Sequence, residues 1–323
     1  MLLADTVRWP EALETAVSPE KMKALGKVAE TRLRDEPVFT ATARLGPAEV
    51  CLHTNDVHTC RRWRENWYAA PAEGDAHAPS GTVTVAMGTE GRPPAAYYCP
   101  RSAQVTLLDC NPYLLCHTWA LALASDLLAR ESWIGLPAAT VALDGEGVLI
   151  LADDLPAQVG FAWRMAADLG AEVQNLTWCW LNAAHQPARA MGAEKCLMVP
   201  VEAADVPEAA SEDGAGMVQR EALPAATPAD ALLPVRHVVF VRTCPPGGEA
   251  TCRQVGPRQA AEHLKGTLAA RPDRWSTPRQ ETPEGDIYRR AFRQCVGAAQ
   301  TVVLELPQGG TPDAFARWLD GAS

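Results

Sequence analysis

Residues 147–160 read Gly-Val-Leu-Ile-Leu-Ala-Asp-Asp-Leu-Pro-Ala-Gln-Val-Gly, and the interpretation of the whole chain follows from this segment. The apolar run Val148–Leu151, bounded by a glycine and a polar pair, predicts a buried strand. Pro156 then opens a pattern of apolar side chains that predicts a helix. A strand, a tight loop and a helix N-terminus form the layout of a phosphate-binding loop.

The residues that give a phosphate-binding loop its chemistry are missing from this layout. Such a loop needs glycines so that backbone amides can face phosphate, a Lys for the terminal phosphates and a Ser or Thr for magnesium. Those places hold Asp153, Asp154, Leu155, Ala157, Gln158 and Val159. The segment is therefore either an unrelated strand, loop and helix or a phosphate-binding loop that has lost its ligand.

Composition limits the class of protein. With 323 residues, of which 47% are hydrophobic and 21% charged, the chain can bury a large core and fold as two domains or one elaborate one. A net charge of -10 argues against a nucleic-acid partner. The sequence has no secretory segment and no run of 18 apolar residues, so we expect a cytoplasmic protein with no membrane partner. Ten cysteines without a C-x-x-C pair predict reduced, buried thiols.

Residues 1–131 are predicted to form an N-terminal α+β domain. Two runs joined at Gly46-Pro47 predict a hairpin, and Thr54-Asn55-Asp56 caps a following helix. The long apolar helix after Asn111-Pro112 should be a buried spine, within which His117 is interpreted as a core or cleft-edge histidine. The predicted strands of this domain are Val38–Leu45, Ala48–His53, Thr82–Met87, Ala95–Cys99 and Ala103–Leu108.

Cys51, His53, His58 and Cys60 together offer four side chains that can bind zinc. Cys51 and His53 share one face of a strand, but positions 58 and 60 lie about 200° apart around the predicted helix. Because the four cannot converge on one ion, we interpret them as strand and helix residues with other partners and predict no metal site.

Residues 132–323 are predicted to form a second α/β domain. A hairpin (Ala139–Leu143 and Val148–Leu151) leads into the helix that starts at Pro156 and ends at Gly170, and Glu172–Leu181 should be one continuous strand. Residues 202–230 change to an acidic Ala- and Pro-rich composition that predicts a long surface loop or a partly disordered excursion. The remaining predicted elements are strands Lys195–Val199, Val235–Val241 and Val302–Leu306, helices Pro257–Ala269 and Glu284–Ala298, and a last helix capped at Thr311.

Two segments of this domain carry a resemblance to a known family. Residues 138–150 read Ala-Ala-Thr-Val-Ala-Leu-Asp-Gly-Glu-Gly-Val-Leu-Ile, and residues 170–181 read Gly-Ala-Glu-Val-Gln-Asn-Leu-Thr-Trp-Cys-Trp-Leu. They resemble the aaV-l-DGrGvLi hairpin and the Ga.llsDDwv.l strand on either side of the P-loop in the HPr kinase and phosphoenolpyruvate carboxykinase superfamily. The Trp63-x3-Trp67 and Tyr97-Tyr98-Cys99-Pro100 segments also look like bacterial HPr-kinase-like proteins that carry an extra N-terminal α+β domain. The resemblance implies an HPr-kinase-like core with a mixed β-sheet in residues 132–323.

Almost none of the functional residues of that family carry over. The first glycine of its P-loop falls at Ala152, its inner glycines at Leu155 and Ala157, its Lys at Gln158 and its Ser/Thr at Val159 and Gly160. The histidine before the hairpin falls at Pro137, and the acidic pair that serves as base and magnesium ligand falls at Leu176 and Thr177. The resemblance thus implies a degenerate P-loop with no catalytic residue, and we expect no binding of ATP or magnesium.

The two aspartates of the loop, Asp153 and Asp154, oppose phosphate binding. A unit charge about 4 Å from a phosphate costs roughly 4 kcal/mol at an effective dielectric constant of about 20. The same carboxylates stabilise a helix N-terminus, because they accept hydrogen bonds from its free amides. We therefore hypothesise that the phosphate site is filled by the protein's own anions.

These inferences favour a catalytically inactive HPr-kinase-like protein, a pseudokinase, that acts as a binding or regulatory partner of another protein. The resemblance suggests an active paralogue as that partner, and it implies a homo-oligomer because HPr kinases are oligomers. One alternative is an ordinary capped loop in an unrelated protein, and another is a nucleotide-dependent kinase or phosphorylase. A third is an enzyme that uses a metal on Asp153 and Asp154, or a hydrolase that uses His117, His185 or Cys196.

Overall fold

The computed structural model describes residues 10–14, 16–34, 36–70, 80–88, 93–110, 113–129, 131–182, 184–200, 210–212, 215–219, 223, 225–244, 248–270, 285–307 and 310–322. The chain divides into two compact units, Met1–Glu131 and Ser132–Ser323. The described residues form a mixed α/β protein with two mixed sheets, one small antiparallel sheet and seven helices. None of the helices in this part of the chain is long and apolar enough to cross a membrane.

The first unit is built on a seven-stranded sheet. Its described helices are α1 (Pro19–Leu33), α2 (Val57–Asn66) and α3 (Tyr113–Ala129). Its described strands are β1 (Ala12–Glu14), β2 (Phe39–Leu45), β3 (Ala48–Thr54), β4 (Tyr68–Ala69), β5 (Ser80–Ala86), β6 (Ala95–Cys99) and β7 (Gln104–Leu108). The strand order is β1-β6-β7-β5-β3-β2-β4, in which β3, β5 and β7 are parallel neighbours.

The local predictions for this unit are confirmed where the structure describes them. The hairpin of β2 and β3 is antiparallel, and the carboxylate of Asp56 caps α2 by accepting hydrogen bonds from the amides of His58 and Thr59. Helix α3 is buried on nearly all sides, and His117 within it stacks on Trp67 with a centroid distance of 4.9 Å. His117 is therefore a core residue. The predicted cap at positions 111 and 112 lies outside the described residues.

The second unit contains a nine-stranded sheet and a three-stranded one. Its described helices are α4 (Leu155–Leu169), α5 (Pro257–Ala270), α6 (Gly285–Val296) and α7 (Asp313–Ala322). Its described strands are β8 (Trp133–Leu136), β9 (Ala139–Leu143), β10 (Glu146–Ala152), β11 (Glu172–Asn175), β12 (Cys179–Asn182), β13 (Arg189–Met191), β14 (Cys196–Pro200), β15 (Ala210–Glu212), β16 (Ala215–Gln219), β17 (Leu233–Thr243), β18 (Thr251–Val255) and β19 (Gln300–Leu306).

Helices cover both faces of the large sheet. Along β10, Val148 and Ile150 pack with α4 and α7, whereas Leu149 and Leu151 pack with α5 and α6. This alternation has the two-residue period of a strand, so the continuous apolar run reflects burial on both faces. Strands β10, β17 and β19 are parallel neighbours, and their carboxyl ends therefore lie at one edge of the sheet.

The turn between β9 and β10 supports the predicted hairpin. Asp144 and Gly145 both have positive φ angles, 52° and 80°, as a two-residue type I′ turn requires. Helix α4 ends at Gly170, which has a φ of 70° and closes the helix in the left-handed conformation. The hairpin and both ends of the helix are thus specified by local residues.

The prediction of one continuous strand at Glu172–Leu181 is wrong. The chain leaves the strand conformation at residues 176–178 and separates β11, which pairs with β9, from β12, which pairs with β8 and β13. Pro137 and Ala138 interrupt β8 and β9 at the matching place. The two strand pairs therefore form one bent ladder. The bend brings β12 beside β13, which in turn joins the first residues of β17.

The prediction of a loop throughout 202–230 is also wrong in part. Residues 210–212 and 215–219 form strands β15 and β16, which join β14 in the three-stranded sheet. Buried Leu197 and Val218 of this sheet pack with the α4 side of the core. The Ala- and Pro-rich composition gave no indication of the hairpin formed by β15 and β16. This hairpin gains stability by pairing with β14.

Candidate functional site

The segment between β10 and α4 has the predicted strand, loop and helix, but the loop is only two residues long. Strand β10 ends at Ala152 and helix α4 begins at Leu155, so Asp153 and Asp154 are the whole connection. Asp154 is the N-cap, and its Oδ1 atom accepts a hydrogen bond of 2.6 Å from the amide of Ala157. The protein's own carboxylate thus holds the position at which a helix N-terminus would receive an anion.

Helix α4 already includes the places of the inner glycines and the lysine, so their side chains project from a helix and not from a loop. The places that the resemblance assigns to the inner glycines and the lysine, Leu155, Ala157 and Gln158, are already helical. Leu155, Val159 and Gly160 are buried, and Leu155 and Val159 pack in the core on this face of the sheet. Most of this segment is therefore helix and core rather than an open cradle of backbone amides.

Asp153 faces away from the helix N-terminus, toward β17 and α5. Its Oδ1 atom accepts a hydrogen bond of 3.1 Å from the hydroxyl of Thr267, and its Oδ2 atom lies 3.9 Å from Nε of Arg242. Because β10 and β17 are parallel with Ala152 opposite Val241, the next residues along the two strands become neighbours. The side chains of Asp153 and Arg242 are 43% and 34% exposed, so this ion pair contributes little to stability.

His263 completes this cluster on the first turns of α5. A guanidinium nitrogen of Arg242 lies 3.0 Å from Nδ1 of His263, which fits a neutral imidazole that accepts the hydrogen bond. Burial lowers the pKa of His263, and the charges of Arg242 and Arg253 lower it further, whereas Asp153 acts in the opposite direction. The cluster therefore combines a carboxylate, a guanidinium, a neutral imidazole and a hydroxyl.

Sequence reasoning missed three members of this cluster: Arg242, His263 and Thr267. A usable signal was present, because Arg242 directly follows the apolar run of β17 and the other two lie four residues apart on one face of a helix. Ligands commonly bind at the carboxyl ends of parallel strands, so polar residues at the end of each such strand should have been grouped.

Gln158 lies inside the protein and contacts the bend of the sheet. The side chain is fully buried, and its Nε2 atom donates a hydrogen bond of 2.8 Å to the backbone carbonyl of Leu176. This contact brings together two positions that the resemblance assigns to a lysine (158) and an acid (176). The contact they make is a structural amide-to-carbonyl hydrogen bond.

Thr177 contacts a residue that sequence reasoning did not identify. Its hydroxyl donates a hydrogen bond of 3.3 Å to Oε2 of Glu194, and both side chains are buried. Asn175, on the other side of the bend, is also buried, and its side-chain oxygen and nitrogen have no hydrogen-bond partner among the described residues. The bend is therefore lined by polar groups that face the protein interior.

The remaining candidate residues do not join either cluster. His117 belongs to the core of the first unit, His185 is exposed after β12, and Cys196 is buried at the start of β14. Asp153 and Asp154 point to different partners, as described above. The part of the chain that the structure describes contains no group of three or more His, Cys, Asp and Glu side chains placed to hold a metal ion.

The four zinc-capable residues of the first unit, Cys51, His53, His58 and Cys60, do not form one group. Cys60 is buried in the inner face of α2, and a ring nitrogen of His58 lies 3.2 Å from the guanidinium of Arg61. Cys51 and His53 instead lie next to each other on β3. His58 and Cys60 thus have different surroundings on α2, as their spacing on the helix predicts.

No protein-family model and no curated protein matches the chain. The resemblance to the HPr kinase and phosphoenolpyruvate carboxykinase superfamily accordingly rests on the segments quoted above and on the order of elements along the chain.

Proposed function

We propose that the chain is a catalytically inactive relative of the HPr kinases, a pseudokinase that serves as a binding or regulatory partner of another protein. In this proposal the second unit is an HPr-kinase-like core, and the segment from Ala152 to Gly160 is its degenerate P-loop. The observation that carries the proposal is the occupation of the helix N-terminus by Asp154, whose carboxylate accepts the amide of Ala157.

Charge and hydrogen bonding around the loop support the loss of phosphoryl transfer. Catalysis of this reaction depends on positioning the phosphates and neutralising their charge with Lys and magnesium. Each group of that kind is typically worth about 3 to 4 kcal/mol. Here the place of the lysine holds a buried glutamine, and the places of the acids hold a leucine and a threonine. At these described positions no lysine or acidic side chain supplies that stabilisation.

The competing metal-dependent function is less well supported. A divalent ion on paired aspartates needs both carboxylates to face one point. Asp154 faces the amide of Ala157, and Asp153 faces Thr267 and Arg242. An ion between them would have to displace a cap and a guanidinium together. Among the described residues of the β10–α4 segment, no contact specifically favours a kinase or phosphorylase function.

Titration calorimetry with ATP and magnesium, and separately with pyrophosphate and magnesium, tests the loss of nucleotide binding. We expect no saturable heat with the wild-type chain. We expect the same result for Asp154→Ala and Gln158→Ala, which are matched changes at the cap and at the buried amide. Micromolar binding that either variant weakens would overturn the proposal, because it would show a working phosphate site at these residues.

A second experiment tests the partner role directly. The probe is a purified HPr-kinase-like enzyme with an intact G-x-x-x-x-G-K-[ST] motif, and the first choice is one encoded beside this chain where such a neighbour exists. We expect the two purified proteins to elute together and the phosphotransfer rate of the enzyme to change when this chain is added. Separate elution with an unchanged rate would contradict the regulatory role.

A further inference from the structure

Cys51 and His53 form a close pair on the outer side of the sheet in the first unit. They are two residues apart on β3, so their side chains point to the same face, opposite to buried Val50 and Leu52. The Sγ atom of Cys51 lies 3.5 Å from Nε2 of His53. Both side chains are partly exposed and are therefore accessible from solvent.

The neighbouring strand fixes the orientation of the imidazole. Thr40 on β2 lies opposite His53, and its Oγ1 atom is 3.4 Å from Nδ1 of the ring. When Nδ1 carries the proton and donates to this hydroxyl, Nε2 is left with a lone pair next to the thiol. Histidines that bind metals usually have such a partner on their second nitrogen, which fixes the tautomer.

The distance between the two side chains matches the spacing of two ligands on one ion. Zinc binds thiolate at about 2.3 Å and imidazole nitrogen at about 2.0 to 2.1 Å in a tetrahedral arrangement. When a zinc–sulfur bond and a zinc–nitrogen bond of these lengths meet at a tetrahedral angle, the sulfur and nitrogen atoms lie about 3.6 Å apart. The observed 3.5 Å is close to this separation.

We propose that Cys51 and His53 bind a thiophilic divalent ion such as Zn²⁺, with Thr40 as the residue that positions the imidazole. On binding, the thiol of Cys51 releases its proton to solvent and the thiolate and Nε2 each donate an electron pair to the metal. Water fills the other positions on the ion, which leaves an open site for an exchangeable ligand.

The surroundings favour metal binding over a role as a catalytic cysteine and histidine. A nucleophilic cysteine in acyl transfer needs amide donors for the developing oxyanion. Strand β3 pairs with β2 on one side and with β5 on the other along its length, so its backbone amides are directed into the sheet. The face around Cys51 instead presents the side chains of Thr42 and Thr82, its neighbours on the two adjoining strands.

The test is zinc titration of the full chain, together with the absorption spectrum of the Co²⁺-loaded protein. We expect one ion per chain, a thiolate-to-cobalt charge-transfer band and release of a proton. Cys51→Ser and His53→Gln should each lower the affinity more than about 100-fold, and Thr40→Val should lower it about tenfold. Controls are Cys244→Ser, which removes another partly exposed thiol, and His58→Gln, which removes the other histidine among the four zinc-capable residues.

The controls should bind zinc as the wild type does. The proposal is overturned if the wild-type chain binds no zinc, if Cys51→Ser or His53→Gln binds it as tightly as the wild type, or if cobalt binds without a thiolate band. Because the site lies in the first unit, these results do not depend on whether the second unit binds nucleotide.

Discussion

Replacing Gln158 by Lys introduces the residue that the resemblance assigns to this position, and we expect it to destabilise the second unit. Gln158 is fully buried, and its amide donates to the carbonyl of Leu176 at the bend between β11 and β12. A lysine would therefore bring a charged ammonium into a buried position that the fold supplies with a neutral hydrogen bond.

The size of the effect follows from two separable losses. Removing the amide leaves a buried carbonyl unsatisfied, which costs about 1 to 3 kcal/mol. An uncompensated buried charge raises the total to about 3 to 5 kcal/mol. Gln158→Met is the matched control, since it keeps a long side chain and loses only the hydrogen bond. The expected order of stability is wild type, then Gln158→Met, then Gln158→Lys.

Native-state hydrogen exchange followed by mass spectrometry measures this effect in the unit concerned. Peptides from α4 (Leu155–Leu169) should lose protection in the order just given, while peptides from α3 (Tyr113–Ala129) in the first unit serve as an internal reference. A Gln158→Lys protein at least as protected as Gln158→Met would refute the reasoning. It would mean that position 158 tolerates the cation, as an active P-loop does.

Three further predictions concern other groups. Arg32→Met should destabilise the first unit by about 3 to 5 kcal/mol in urea unfolding, because Arg32 and Asp109 form a buried ion pair of 3.1 Å with side chains only 9% and 1% exposed. Burial lowers the pKa of His237 from 6.5; the charge of Glu146 opposes this shift and the charge of Arg236 adds to it. The neutral imidazole therefore stabilises the fold above about pH 6.5, and this stability is lost as the pH falls below that value. His237→Phe should reduce this acid sensitivity in thermal unfolding, whereas exposed His185→Gln should not. Burial raises the pKa of Cys252 to about 11, so iodoacetamide at about pH 8 should label it far more slowly than free cysteine, and equal rates would contradict that pKa.

Local signals in the sequence were sufficient for the elements that surround the site. The apolar run of β10, the Asp154 cap and the Gly170 terminus are each specified by a few neighbouring residues, and all three are present. The pattern at Glu172–Leu181 failed because its apolar side chains continue through the bend at residues 176–178. Periodicity reports which side chains are buried, and it does not distinguish a straight strand from two strands joined by a buried bend.

The clusters at the site depend on contacts that no local pattern contains. Thr267 and Asp153 are 114 residues apart in the chain, and Gln158 reaches a backbone carbonyl 18 residues away. Parallel pairing of β10 and β17 makes Asp153 and Arg242 neighbours, and that pairing was not predicted. Long-range contacts of this kind follow from the strand order, which is a property of the whole fold.

The length of the β10–α4 connection explains why side-chain replacement alone should not restore a phosphate site. A P-loop surrounds phosphate with amides from a glycine-rich loop that precedes its helix. Here only two residues separate the strand from the helix, and the places that the resemblance assigns to the inner glycines and the lysine lie in the first turn of the helix. Substituting Gly and Lys at those places would weaken the helix and leave the loop equally short. The short backbone connection therefore leaves no room for a phosphate-binding loop, and Asp154 within it caps the helix.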